Sequence, residues 1–401
     1  METYSPHIPA TLSKPQSISI PVPWYIYAAL IATVSIFVGL VWDVSWHMSI
    51  GRDSLFSAPH LVIYLGGVLG GIGGAYQLFS ATFSKNPGVR EKTVWFWGFR
   101  APLGALFAIW GALAMLTSAP FDDWWHNAYG LDVKILSPPH ALLAMGLITV
   151  QVGSMITLLS FQNQIDRTYA TTGHQPWKVQ IVRHMFPLTV GMILCILNIL
   201  FWEYMSRNDM HSATFYKIGS IIFPLFLVAS GSASNLKWPM TYASLWYLLV
   251  YAGMNWILPL FPAEPRLGPI HNPITHYVPL EFPFLIFVPA IAMDFILQQK
   301  NKSPKWLTSV YLGIAFFSLF FVVQWFFSIF LMSPAARNWF FFADGALPYY
   351  ANPNWKYRYD FYLSDDNILA FLKGLGFAIS FAILSARIGL SWGNWMKQVR
   401  R

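Results

Sequence analysis

The sequence predicts an all-α fold, a polytopic membrane helical bundle of about ten transmembrane helices. Three observations predict it. Charged residues make up 10% of the 401 and hydrophobic residues 56%, whereas a soluble globular chain carries about 25% charged residues. The shortfall extends along the whole length and leaves too little polar surface to cover a soluble protein. Apolar runs of about 20 residues, enough to cross a bilayer as helix, recur from one end to the other. Aromatic residues reach 18%, with 19 Trp, a composition suited to aromatic belts at the membrane interfaces.

In order, the candidate spans are 22–42, 59–80, 95–119, 139–161, 185–205, 214–232, 239–261, 281–298, 306–332 and 367–391. Residues 1–20 form a polar, Pro/Ser-rich tail whose only basic side chain is Lys14. No small-residue cleavage site follows the first apolar run, so it reads as a membrane helix rather than a removable signal. Residues 21–401 are then a single integral membrane domain. Gly66, Gly70 and Gly74 in GGVLGGIGG give small residues at i, i+4 and i+8, which lets helices approach closely. Gln77, Asn255, Asp294 and Gln324 are isolated polar groups within spans, expected to hydrogen-bond between helices. The longest connection, 333–366, is aromatic and polar (NWFFFADGALPYYANPNWKYRYDFY) and is expected to form an ordered cap on the membrane surface.

Ten spans place both termini on one side. That side carries 16 of the 25 Lys+Arg. By the positive-inside rule it is cytoplasmic, in a plasma or inner membrane. The basic residues are scattered over short loops, so the net charge of +8 does not indicate nucleic acid. The opposite face takes 13 of the 17 acids and 7 of the 10 histidines. The Lys/Arg bias alone leaves acids to that face, but histidine has little role in setting topology. The single cysteine, Cys195, excludes an intrachain disulfide and a Cys-rich zinc or iron–sulfur site.

The first four spans contain an internal repeat. WDVSWHMSIGRDSLFSAPHLVIYLGG begins at Trp42, and DDWWHNAYGLDVKILSPPHALLAMG at Asp122. Aligned on the first histidine, Asp43 matches Asp122, Trp46 matches Trp125 and His47 matches His126. Gly51 matches Gly130 and Asp53 matches Asp132. After one inserted residue, Ser57, Pro59 and His60 match Ser137, Pro139 and His140, and Gly66 matches Gly146. Each copy is a helix, an outer loop and a helix. Copies over 22–80 and 95–161 start on the same side, as parallel repeats about an axis along the membrane normal.

The spacing has a chemical consequence. Asp43 and His47, like Asp122 and His126, are i and i+4 and share a helix face. Ser57 and Ser137 are candidate N-caps, with proline in the first turn. His60 and His140 follow at the third helical position, where the helix dipole disfavours imidazolium and leaves the neutral, metal-binding ring. We therefore expect His47, His60, His126, His140, Asp43 and Asp122 to converge on a metal site. Nitrogen and oxygen ligands without thiolate suit a transition metal, with copper first and zinc or iron second. The histidines collect at one edge of the spans, so no haem is expected. Asp53, Asp132, Glu203, His211, His271, His276 and Glu281 share that face, as a supporting shell or a second site. The functional expectation is a membrane metalloprotein performing redox or oxygen-activating chemistry on a membrane-soluble substrate, in its enzymatic form an oxidoreductase. Expected partners are the bilayer, other membrane subunits and an extracytoplasmic redox protein. The alternatives are a transporter, a metal-handling assembly factor, and a structural subunit without a site. Aspartate and histidine also cap helices and bond loop amides, so the expectation rests on the repetition and not on one copy.

Overall fold

Long apolar runs in an apolar medium have one economical structure, because a helix satisfies its own backbone. The computed structural model describes residues 21–130, 137–169, 177–299 and 303–399. Its helices are α1 (Trp24–Ser49), α2 (Ala58–Thr82), α3 (Pro87–Arg90), α4 (Leu103–Tyr129), α5 (Pro138–Tyr169), α6 (Trp177–Leu200), α7 (Ala213–Ala233), α8 (Pro239–Ile257), α9 (Phe287–Gln299), α10 (Lys305–Met332) and α11 (Ile368–Gln398). A short hairpin of β1 (Val94–Phe96) and β2 (Phe99–Ala101) precedes α4. Among the described residues, nine helices are long and apolar enough to cross a membrane. The protein is an all-α bundle.

The first pair of long helices, α1 and α2, packs together, as do α4 and α5. Further contacts of α2 with α4 and α1 with α5 join them into one group. Small residues set these spacings. A Cβ on Gly66 would lie 2.6 Å from Ile36 Cγ1 and 2.8 Å from Ala32 O, and one on Gly146 2.8 Å from Met115 Cγ and 3.0 Å from Gly111 O. Ala32 and Ile36 hold the places in the first copy that Gly111 and Met115 hold in the second, so the two hairpins close on equivalent contacts. Beyond them, α5 and α1 meet α6, and α7 packs on α11.

The eighth expected span departs from the sequence reading. Residues 281–298 are not one helix: Glu281–Leu285 has no regular secondary structure, and α9 begins only at Phe287. Its 13 residues span roughly 20 Å, short of the ~30 Å hydrocarbon core. The cause is local. Pro279 and Pro283 lack amide protons and bias the residues before them away from helix. The buried irregular backbone then borrows partners from neighbouring helices. Ser45 Oγ donates to Val278 O (2.6 Å) and Val278 N to Ser49 Oγ (2.8 Å). Leu280 N donates to Asn255 Oδ1 (3.1 Å), and Asn255 Nδ2 to Glu281 O (3.2 Å). Phe284 N donates to the Tyr247 hydroxyl (3.1 Å) and Leu285 N to Gln324 Oε1 (2.9 Å). Asn255 and Gln324 therefore serve unwound backbone, not helix–helix contacts between side chains.

The connection 333–366 is ordered. Tyr349 N donates to Met48 O (3.0 Å) and Tyr362 N to Asn208 O (2.8 Å), while Arg207 Nη1 donates to Ala343 O (2.6 Å). Arg337 stacks on the Tyr359 ring, 3.8 Å from its centroid. The segment folds back onto the end of α1.

Replacing Asn255 by Ala strands one amide and one carbonyl in the core. Each buried orphan costs about 1–3 kcal/mol. Thermal unfolding in detergent should show a clearly lowered midpoint for Asn255→Ala, whereas Thr117→Ala, which removes only an exposed hydroxyl bonded within its own helix, should unfold within a degree or two of wild type. Equal midpoints would refute the bracing role.

Candidate metal centre

At the end of α1, Asp43 and His47 occupy successive turns of one face. The helix stops at Ser49, and Gly51 turns the chain at φ +87°, a conformation that favours glycine. Gly130 ends α4 at φ +86°. The paired glycines of the repeat thus both take positive φ. Ser57 stands at the N-cap of α2, but its hydroxyl makes no capping bond. Pro59 at the second helical position removes one of the amides a cap would reach. The hydroxyls of Ser57 and Ser137 are both buried without a hydrogen-bond partner among the described residues.

The side chains form two groups. In the first, Asp43, His47, Asp53 and His60 each offer a ligand atom within 4.8 Å of the others. His60 Nε2 lies 3.1 Å from Asp43 Oδ1 and 3.3 Å from Asp53 Oδ2. His47 Nε2 lies 3.9 Å from Asp43 Oδ2 and 3.6 Å from Asp53 Oδ2. In the second, Asp122, His126 and His140 satisfy the same criterion. His126 Nε2 is 3.4 Å from Asp122 Oδ2, and His140 Nε2 is 3.4 Å from Asp122 Oδ1. Each helix aspartate thus faces its i+4 histidine with one oxygen and the histidine of the next helix with the other. Asp132, the counterpart of Asp53, lies outside the described residues.

The four histidines divide two and two, where the sequence reading expected one convergence. Each hairpin assembles its own group because both of its histidines already face its own aspartate. The groups are neighbours: His140 acts electrostatically on Asp43, and Asp43, Asp53 and Asp122 all act on Tyr64. Tyr64 follows His60 by one helical turn and was not singled out in the sequence. Its counterpart is Ala144, so the repeat alignment passes over it. The first group opens outward through His47, whose side chain is 48% exposed against 16% for His60.

Ring orientation constrains the chemistry. His60 Nδ1 lies 2.8 Å from Ser54 O. A carbonyl only accepts, so Nδ1 carries the proton and donates. Nε2 then points at two carboxylates and needs positive charge there, either its own proton or a metal ion. His126 repeats the pattern, with Nδ1 3.3 Å from Gly130 O and Nε2 toward Asp122. A backbone carbonyl behind the ring is a common support for a metal-binding imidazole.

The other positions go elsewhere. Asp209 accepts from Ser206 N and Oγ in its own turn (3.1 and 2.6 Å). Glu281 takes the Arg207 amide (2.7 Å), with Arg207 Nε 3.6 Å away. His211 is stacked between Trp325 and Phe361, at 3.7 and 3.6 Å between ring centroids. His276 Nδ1 pairs with Thr275 Oγ1 (2.9 Å), the His271 amide bonds Tyr349 O, and Glu203 is exposed on a short turn. None joins either group.

Comparison of the chain with family models, with curated proteins and with solved structures finds no match.

His211 supplies a pH test outside the two groups. Burial between the two rings holds its imidazole below the usual value, with the Trp325 carbonyl opposing in part. The unfolded chain, titrating near ~6.5, therefore binds more protons than the folded one just below that pH. Its contribution is present above ~6.5 and is lost as pH falls from there through the depressed value. Unfolding midpoints of wild type should drop across that window more than those of His211→Phe. Parallel curves would count against this assignment.

Proposed function

We propose that the protein is an integral membrane metalloprotein that holds transition-metal ions at two adjacent centres, one per hairpin. Asp43, His47, Asp53 and His60 would hold the first ion, and Asp122, His126 and His140 the second. The observation that carries the reading is the orientation of His60, whose proton-bearing Nδ1 is fixed by Ser54 O while Nε2 meets two carboxylates. Two carboxylates with two neutral imidazoles balance a divalent cation. Ligand atoms sharing an ion at ~2.0–2.2 Å lie roughly 3–4 Å apart; the six His–Asp contacts are 3.1–3.9 Å, and all ligand atoms of a group lie within 4.8 Å of one another.

Copper is the first metal to test, because N/O sites bind Cu(II) more tightly than the other first-row divalent ions. Bound there, it would supply redox or oxygen-activating chemistry for a membrane-soluble substrate. The residues themselves orient the ion, and the exposed His47 edge admits small molecules. The bilayer is the environment of the protein, and the face bearing both groups is extracytoplasmic on the positive-inside argument.

Detergent-purified protein loaded with Cu(II), Zn(II) or Fe(II) and desalted should retain about two ions per chain by elemental analysis, as the two ligand groups require. His47→Ala and His126→Ala should each retain about one, and the double variant almost none. Full retention by the double variant would sink the proposal, as would no retention by wild type.

Orientation is tested separately. Cys195 is buried, so cysteines introduced at Ser54 and Ser84 can be labelled in its presence. Impermeant maleimide should reach position 54 from outside intact cells and position 84 only after permeabilisation. The reverse pattern would invert the topology.

A further inference from the structure

At the end of the bundle opposite the two groups, α7, α8, α9, α10 and α11 part to leave a cavity of about 300 Å³. Its wall is about half polar and carries three lysines. Lys237, Lys305 and Lys397 line it, together with Ser232, Thr308 and Asn394. The one acid in the wall, Asp294, is already engaged. It accepts from Met240 N (3.3 Å), Thr241 N (2.8 Å) and Thr241 Oγ1 (2.8 Å) at the start of α8. None of the ion pairs among the described residues includes the three lysines. Three lysines thus line a cleft with hydroxyl and amide groups and a single carboxylate, that of Asp294, whose oxygens are taken by the start of α8.

The depth of the cleft is marked by tryptophan. Trp306 in the first turn of α10 and Trp395 near the end of α11 are 56% and 45% exposed. Tryptophans at the ends of membrane helices lie at headgroup level. A cationic cleft between helices at that level matches the phosphate of an anionic phospholipid. The backbone around it is held in place: Gln298 Nε2 donates to Lys237 O (2.7 Å), and Asn163 Nδ2 to Lys397 O (3.4 Å).

We propose that this cavity is a phosphate-binding site, filled by an anionic lipid headgroup or by free phosphate. It is independent of the metal reading, since it shares no residue with either group.

The test uses full-length protein reconstituted in vesicles of phosphatidylglycerol and phosphatidylcholine, then released into detergent for native mass spectrometry. Wild type should retain phosphatidylglycerol over phosphatidylcholine. Each lysine contributes about a factor of five, so Lys237→Ala/Lys305→Ala/Lys397→Ala should bind on the order of 100-fold more weakly. The charge-preserving triple Lys→Arg variant should keep most of the retention, which separates charge from folding. A second arm titrates inorganic phosphate against delipidated protein and follows the unfolding midpoint. Lipid retention lost with the lysines supports the site with lipid as its source. Lysine-dependent stabilisation by inorganic phosphate without lipid retention supports it with free phosphate as the source. Wild type and triple Ala variant alike in both arms would overturn it.

Discussion

A backbone amide placed among apolar helices must find its partner within the protein, and this constraint decides where the bundle departs from plain helices. The irregular stretch before α9 has no helical ladder to satisfy its amides. It is held by Ser45, Ser49, Asn255, Tyr247 and Gln324, on α1, α8 and α10. Irregular backbone at membrane depth persists only where protein or water satisfies it. Ser45 and Ser49 alternate along the last turns of α1 with Asp43 and His47. One stretch of helix thus presents a serine face to the irregular chain and an Asp/His face to the loop and α2. The cap adds a third tie there, through Tyr349 N to Met48 O. The end of α1 is fixed from three directions, so the orientation of its two polar side chains is set by packing rather than left to solvent.

Much of this was legible in the sequence, and the physical reason differs from element to element. The long helices announce themselves because each apolar run is both long enough and free of proline at its centre, or carries a proline the bundle tolerates, such as Pro224 in α7. The two hairpins were legible because Asp, His, Gly and Pro-His recur in register. Gly51 and Gly130 show why: both positions require positive φ. The eighth span was misread because hydropathy does not distinguish irregular from helical backbone. Pro279 and Pro283 carried the missing signal. Asn255 and Gln324 were correctly seen as polar groups needing partners, but the partner was a backbone that the helical reading had removed.

The division into two groups follows from scale. An i, i+4 pair and a histidine in the first turn of the next helix are joined by a short loop, so one hairpin brings them together without help. Merging the two hairpins would instead require α1 and α4 to meet at their ends, whereas α2 and α5 stand against them. Period and spacing encode the local closure; the distance between closures is set by packing, which no motif records. Asp53 illustrates the same limit, since a residue outside the helical face becomes an equal member of the first group through its loop.

Topology alone would sort charge between the two faces, but the partners of the acids show a further pattern. Asp209 caps its own turn, Asp365 accepts from Ala213 N at the start of α7, Glu281 faces Arg207, and Asp344 faces Arg358. Glu203, Glu264, Asp360 and Asp366 are exposed to solvent. Asp43, Asp53 and Asp122 are neither exposed nor matched to an amide, arginine or lysine among the described residues; their partners are imidazoles. A half-buried carboxylate needs compensating charge or hydrogen bonds. Imidazole gives it charge only by holding a second proton or by sharing a metal ion. Acids sorted by topology alone would fall among the exposed and helix-capping kinds. Among the described residues these three are paired with histidine, in two hairpins with the same oxygen-to-ring assignment, a pattern that sorting by the direction of insertion does not by itself produce.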